Sequence, residues 1–152
     1  MKAISTEMAF FISGAEPAGS AYPTLVKQVS LLPKSMSNLV QDFNDYRTRM
    51  NEVILGKDNL VIKRLWNLDT NTYAEGALST QTKEMLGLVA SMVLRCEDCI
   101  KYHLGKCHEL GVTTEQVYEI FAVANIVGGT IVIPHTRRAA EYWEALQETG
   151  NA

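Results

Sequence analysis

The sequence predicts an all-α fold, a helical bundle, and three observations carry that expectation. Apolar residues recur at spacings of three and four through most of the chain, the pattern of helices that bury one face. Short breaks at Gly56, Gly76, Gly111 and Gly128-Gly129 separate these segments, and short connections favour antiparallel packing of consecutive helices. The β-branched run Thr130 to Ile133 is too short to establish a sheet.

Residues 1 to 23 carry Gly14, Pro17, Gly19 and Pro23 with no sustained period and read as an N-terminal arm. Residues 24 to 152 read as a single helical domain. Leu25 to Leu32 suits a short helix ended by Pro33, after which Ser35 or Ser37 can cap a longer one. In that longer helix Leu39, Phe43, Tyr46, Met50 and Val53 form one stripe expected to be buried. Gly56 stops it, Asp58 suits a new cap, and Val61, Leu65 and Leu68 continue the period to Thr72 or Tyr73.

Ser79 or Thr80 caps the next helix, in which Met85, Leu88, Val89, Met92 and Val93 face inward. After Gly111, Thr113 and Gln116 make a capping box, because each side chain can satisfy an orphan N–H of the other. The helix it opens buries Val117, Ile120, Phe121, Ala124 and Val127. Pro134 then suits the first turn of a last helix carrying Ala139, Tyr142, Trp143 and Leu146.

At 152 residues, with 47% apolar and 20% charged residues, the chain can bury a core without disulfides or a structural metal. The net charge of -3 gives no basic field, and Lys63-Arg64 and Arg137-Arg138 are isolated pairs, so nucleic acid is not an expected partner. Met8 to Ile12 is too short for a signal-peptide core and no later run approaches a bilayer span. The expected location is cytoplasmic, with no membrane partner. Three cysteines, two of them closely spaced, suit reactive thiols in a reducing compartment better than a disulfide scaffold.

Those two are Cys96 and Cys99, followed by His103. On a helix the three share a face. Disulfide closure needs Cβ atoms roughly 3.5–4.5 Å apart, closer than the ~5–6 Å of neighbours in a regular helix, so a helix start is expected close to Cys96. There the helix dipole would lower the thiol pKa of Cys99, with His103 as a nearby proton acceptor. A plainer alternative makes Cys96 and Cys99 small buried residues on an apolar stripe.

Cys96, Cys99, His103 and Cys107 also make up a zinc ligand set. About 16 Å of helix between Cys96 and Cys107 forbids a four-ligand site unless the helix is broken, and no metal is expected. Cys107, about 12 Å along the helix from Cys99, lies beyond disulfide reach and reads as structural. His108 is expected at the surface, His135 to pack or cap, and Tyr102 to point away from the thiol stripe.

Leu78-Ser79-Thr80-Gln81-Thr82-Lys83-Glu84, followed by Cys96-x-x-Cys99-x-x-x-His103, resembles the signature of the carboxymuconolactone decarboxylase superfamily in its alkyl hydroperoxidase D-like branch. Gly111 to Gln116 and Gly128-Gly129 extend the resemblance over roughly residues 78 to 129, the expected redox core.

The resemblance implies a thiol-dependent peroxidase. In it Cys99 attacks the hydroperoxide, Cys96 resolves the sulfenic acid to a redox-active Cys96–Cys99 disulfide, and Glu84 and His103 carry protons. It implies no cofactor beyond that disulfide, a small hydroperoxide as substrate, an external dithiol reductant (lipoyl or thioredoxin-like), and a homotrimer or homohexamer. The branch commonly has histidine where this chain has Asp98, whose charge would raise a neighbouring thiol pKa.

Glu84 supplies a geometric condition. One continuous helix would hold it about 28 Å from His103, so a turn near Leu94 to Cys96 is required if both act in one subunit; the plainer alternative makes Glu84 a solvated first-turn carboxylate favoured by the helix dipole. A cofactor-free lactone decarboxylase and a non-enzymatic thiol redox sensor are the competing functions.

Overall fold

The computed structural model describes residues 36–150, which belong to one compact unit. The N-terminal arm and the Leu25 to Leu32 helix lie outside these residues. Six α-helices follow in order: α1 Met36–Leu55, α2 Leu60–Tyr73, α3 Thr80–Leu94, α4 Glu97–Glu109, α5 Thr114–Gly128 and α6 Ile133–Gly150, with a 3₁₀ turn at Thr130–Val132 before α6. The all-α reading holds, and the β-branched run forms that 3₁₀ turn and the first residue of α6.

The core is built from α3 to α6. Helix α3 packs on α4 and α5, α6 packs on α4, and α1 lies along α6. Leu88 and Met92 of α3 meet Ile100, Leu104 and Cys107 of α4, Val117 and Phe121 of α5, and Tyr142 and Trp143 of α6, all buried. Trp143 satisfies its indole by donating to Thr114 Oγ1 at 3.1 Å, as a buried N–H must.

Caps set the boundaries that matter for the site. Ser79 accepts from the Thr82 N–H and opens α3, and the Thr113–Gln116 capping box opens α5. Between α3 and α4 the chain turns on Arg95, which takes the left-handed conformation at φ 61°. That costs a non-glycine residue roughly 1–2 kcal/mol. It is offset by the Arg95 N–H to Met92 O and Cys96 N–H to Ser91 O bonds and by burial of Leu88 and Met92, each side chain contributing about 1.5–3 kcal/mol. The turn folds α4 back along α3 and leaves Cys96 at the N-cap of α4.

Several expectations about these helices need correction. Asn59, not Asp58, caps α2, accepting from the Val61 and Ile62 N–H groups, while Asp58 takes a positive φ. Of the two caps offered for α1, Ser37 lies inside the helix and Ser35 lies outside the described residues. The helical period is right in α1, α2 and α5, but Tyr46, Val53, Val61, Leu65, Leu68 and Val127 are exposed, and α2 buries no residue at all. Periodicity identifies an apolar face; it does not say whether this chain covers that face. No helix among the described residues is long and apolar enough to cross a membrane.

Candidate active site

Cys96 and Cys99 are joined by a disulfide, with Cα atoms 5.3 Å apart. Cys96 as N-cap has extended backbone (φ -91°, ψ 94°) and makes no side-chain capping bond. Its departure from helical geometry lets the two sulfurs meet where a regular helical pair could not. The thiol pair therefore sits in the first turn of α4, as expected from its spacing. Cys99 is exposed and Cys96 half-buried.

Cys99 opens onto a cavity of about 420 Å³ between α1, α2 and α4. Phe43, Met50 and Ile54 of α1 form its apolar wall, and Arg47, Asp69 and Asp98 bring charge to it. His103 and Tyr102 line it beside Cys99. Tyr102 was expected to point away from the thiol stripe. It shares the cavity with Cys99 because that space extends sideways to α1, whose Arg47 guanidinium stacks over the Tyr102 ring at 4.1 Å from its centroid.

Behind the cavity, His103 Nδ1 lies 2.7 Å from Glu84 Oε2, with His103 7% and Glu84 2% exposed. The turn at Arg95 is what brings α3 and α4 together here. With the carboxylate ionised, the shared proton resides on Nδ1, leaving Nε2 as the basic nitrogen of the ring. The other edge of the imidazole rests against Gly87. A Cβ there would come within 2.5 Å of His103 Cε1 and 2.8 Å of both His103 Nε2 and the Tyr73 hydroxyl. Burial, reinforced by the charge of Glu84, keeps the Tyr73 and Tyr102 hydroxyls above the ordinary tyrosine pKa. Both remain protonated donors flanking His103, with ring centroids 5.3 and 5.2 Å away.

Glu97, between the cysteines, is tied to α6. Its Oε1 accepts from Arg138 Nε at 2.8 Å and Nη2 at 2.6 Å and pairs with His135 Nδ1. Burial pushes the Glu97 carboxyl pKa up, but these hydrogen bonds outweigh it and hold the group below its usual range. His135 thus packs and pairs, as expected, and does not line the Cys99 cavity.

His108 was expected at the surface and is half-buried, edge-on to Trp143 at 5.7 Å, because α6 covers that side of α4. Cys107 is a free, fully buried thiol. Among the described residues no group of three or more His, Cys, Asp or Glu side chains is arranged to hold a metal.

Sequence reasoning missed Gly87, Arg47 and the Glu97–His135–Arg138 cluster. Gly87 had a readable signal, a glycine three residues after Glu84 inside an apolar helix, where glycine costs stability without a packing reason. The other contacts join helices far apart in sequence and leave no local pattern.

A sequence model of the carboxymuconolactone decarboxylase family matches residues 60–142. Two crystal structures of a Thermotoga maritima protein are similar to this chain at 46% and 45% identity, with TM-scores of 0.71 and 0.69. They cover 73% and 72% of this chain and 97% and 93% of theirs. One describes a carboxymuconolactone decarboxylase family protein for which involvement in an antioxidative response is suggested.

A Legionella pneumophila protein of the same family shares the fold at 22% identity and TM-score 0.58, over 76% of this chain and 97% of that one. Among curated relatives, a Cupriavidus necator protein is 26% identical over 47% of this chain. A Paracoccus denitrificans protein of the cox locus is 30% identical over 44%. The chain spans 64% and 60% of the length of these two relatives. With more than half of its residues inside the family match and its fold shared by family structures, the chain belongs to the carboxymuconolactone decarboxylase family.

Proposed function

We propose that this protein is a thiol-dependent peroxidase of the alkyl hydroperoxidase D-like type. The observation that carries the reading is the Cys96–Cys99 disulfide, with Cys99 in a cavity that the His103 of a buried Glu84–His103 pair also lines.

In the reduced protein Cys99 passes its proton to His103 through the solvent of the cavity. Glu84 on Nδ1 fixes the ring and stabilises the imidazolium. The thiolate attacks the terminal peroxide oxygen. An S–O bond forms, the O–O bond breaks, and the alkoxide leaves as alcohol after taking a proton. Cys96, as thiolate, then attacks the Cys99 sulfenic acid, forming the S–S bond and releasing hydroxide, which takes a proton to become water. An external dithiol returns two electrons and two protons. No bound cofactor enters the cycle, and a cycle that needs dithiols suits the cytoplasm.

The test is intact mass and free-thiol count of the reduced protein before and after one equivalent of an organic hydroperoxide, with Cys96→Ser and Cys99→Ser alongside. The parent should lose two hydrogens. Cys96→Ser should accumulate a trappable sulfenic acid, and Cys99→Ser should give none. Peroxide consumption that survives both substitutions would refute the reading, and lactone decarboxylation independent of both thiols would replace it with the reaction in the family name.

The homotrimer or homohexamer expected from the resemblance is carried forward on α2, which buries nothing and exposes Leu60, Val61, Leu65 and Leu68. Contiguous apolar surface of this kind favours association, and light scattering showing a monomer would remove it.

A further inference from the structure

A second, smaller cavity of about 190 Å³ adjoins the first and differs from it in charge. Phe43, Arg47 and Tyr102 line both, so these three side chains form the boundary between them. On the far side of that boundary stand Lys101 and Lys106. Glu109, the carboxylate there, is engaged by Lys106 at 2.6 Å.

Arg47 and Lys101 have no carboxylate partner among the described residues. Each is instead held against an aromatic face, Arg47 over Tyr102 at 4.1 Å and Lys101 over Phe43 at 5.5 Å. Stacking of this kind positions a cation without neutralising it. The thiol cavity beyond the boundary carries Asp69 and Asp98.

We infer that this cleft is an anion site that orients a reactant of the thiol pair. A carboxylate or phosphate group enters between Arg47 and Lys101, and the uncharged reacting end of the same molecule passes Tyr102 to reach Cys99. The segregation of charge gives the orientation its direction. Cations in the cleft attract the anionic end, and Asp69 and Asp98 repel it from the thiol cavity. A dithiol reductant or a hydroperoxide could bring the anionic group, and both would use the same two cations.

The inference rests on the thiol-cycling reading, but its test uses half-reactions, so the two can fail separately. Stopped-flow rates are measured for reduction of the oxidised protein by dihydrolipoate and by the neutral dihydrolipoamide. Rates are also measured for oxidation of the reduced protein by an unsaturated fatty-acid hydroperoxide and by its methyl ester. Dithiothreitol reduction serves as the check that each variant presents an intact disulfide.

In at least one pair the anionic member should react faster by about threefold or more at low ionic strength, within the range of one partly exposed charge. The advantage should shrink as salt is added and fall towards one in Lys101→Met and in Arg47→Met, while Lys101→Arg restores it. The pair that shows the preference identifies which reactant carries the anion. Equal rates within both pairs would overturn the inference, as would a preference that persists in Lys101→Met. If no hydroperoxide oxidises the protein, the peroxidase reading fails and the reductant pair still decides the cleft.

Discussion

His103 Nδ1 stands 2.7 Å from Glu84 Oε2 across 19 residues of chain, and both side chains are almost wholly buried. A buried pair of this kind is held by its partner more than by solvent. Removing Glu84 leaves the buried Nδ1–H without its acceptor, at a cost of about 1–3 kcal/mol. Any role of Glu84 in the chemistry is therefore entangled with its role in stability, and only some substitutions separate them.

Glu84→Gln keeps the volume and a hydrogen-bond acceptor but removes the charge that would stabilise an imidazolium. The expected outcome is a folded protein whose Cys99 is oxidised by hydroperoxide about 10²-fold more slowly, at the low end of general acid–base effects. Glu84→Ala should instead lower the urea midpoint by an amount equivalent to roughly 1–3 kcal/mol. A glutamine variant as fast as the parent would remove Glu84 from the proton path.

Gly87→Ala tests the space around the imidazole. The added methyl would meet His103 at 2.5 Å and the Tyr73 hydroxyl at 2.8 Å, and the imidazole cannot retreat without disturbing its contact with Glu84. Overpacking of this size costs about 1–3 kcal/mol. Both a lower thermal midpoint and slower thiol oxidation are expected. A variant with parental stability and rate would mean that the helices part freely there.

Much of this arrangement was legible in the sequence because it depends on local chemistry. The Thr113–Gln116 box, the Ser79 cap and the first-turn position of Cys96 each follow from a few adjacent residues. The Glu84–His103 contact was legible at one remove, since a proton relay over 19 residues requires a turn, and the turn falls at Arg95. What the sequence hid is lateral. Arg47 over Tyr102, His108 against Trp143 and Glu97 with Arg138 join different helices, and helical periodicity carries no information about which face meets which neighbour. The exposed stripe Val61, Leu65 and Leu68 shows the same limit, because its period is that of a buried face.

Cys107 should behave unlike the other two thiols. Burial, with a smaller contribution from the charge of Glu84, pushes its pKa up from 9.0 to about 12, and the thiolate is the reactive form. At pH 8 an alkylating reagent should modify two cysteines of the reduced native protein and reach the third only after unfolding. Mass spectrometry counts the adducts. Three adducts on the native protein would place Cys107 within reach of solvent.

Glu97 ties the first turn of α4 to α6, and its contribution has a definite pH sign. The Glu97–Arg138–His135 contacts hold the carboxyl below its usual value of 4.5, so the folded state binds this proton less readily than the unfolded chain. Stability from the group is fully present above the unfolded value and is lost as pH falls through the lower folded one. The side chain remains 33% exposed and Arg138 50% exposed, so solvent screening limits the contribution to under about 1 kcal/mol.

Glu97→Gln cannot titrate. Between about pH 5 and 3 the unfolding midpoint of the oxidised parent should therefore fall more steeply than that of the variant, while at pH 7 the variant is the less stable of the two. Urea titrations across that range measure both slopes. Parallel slopes would mean that Arg138 and His135 hold Glu97 no better than water does, and that the first turn of α4 keeps its place by packing alone.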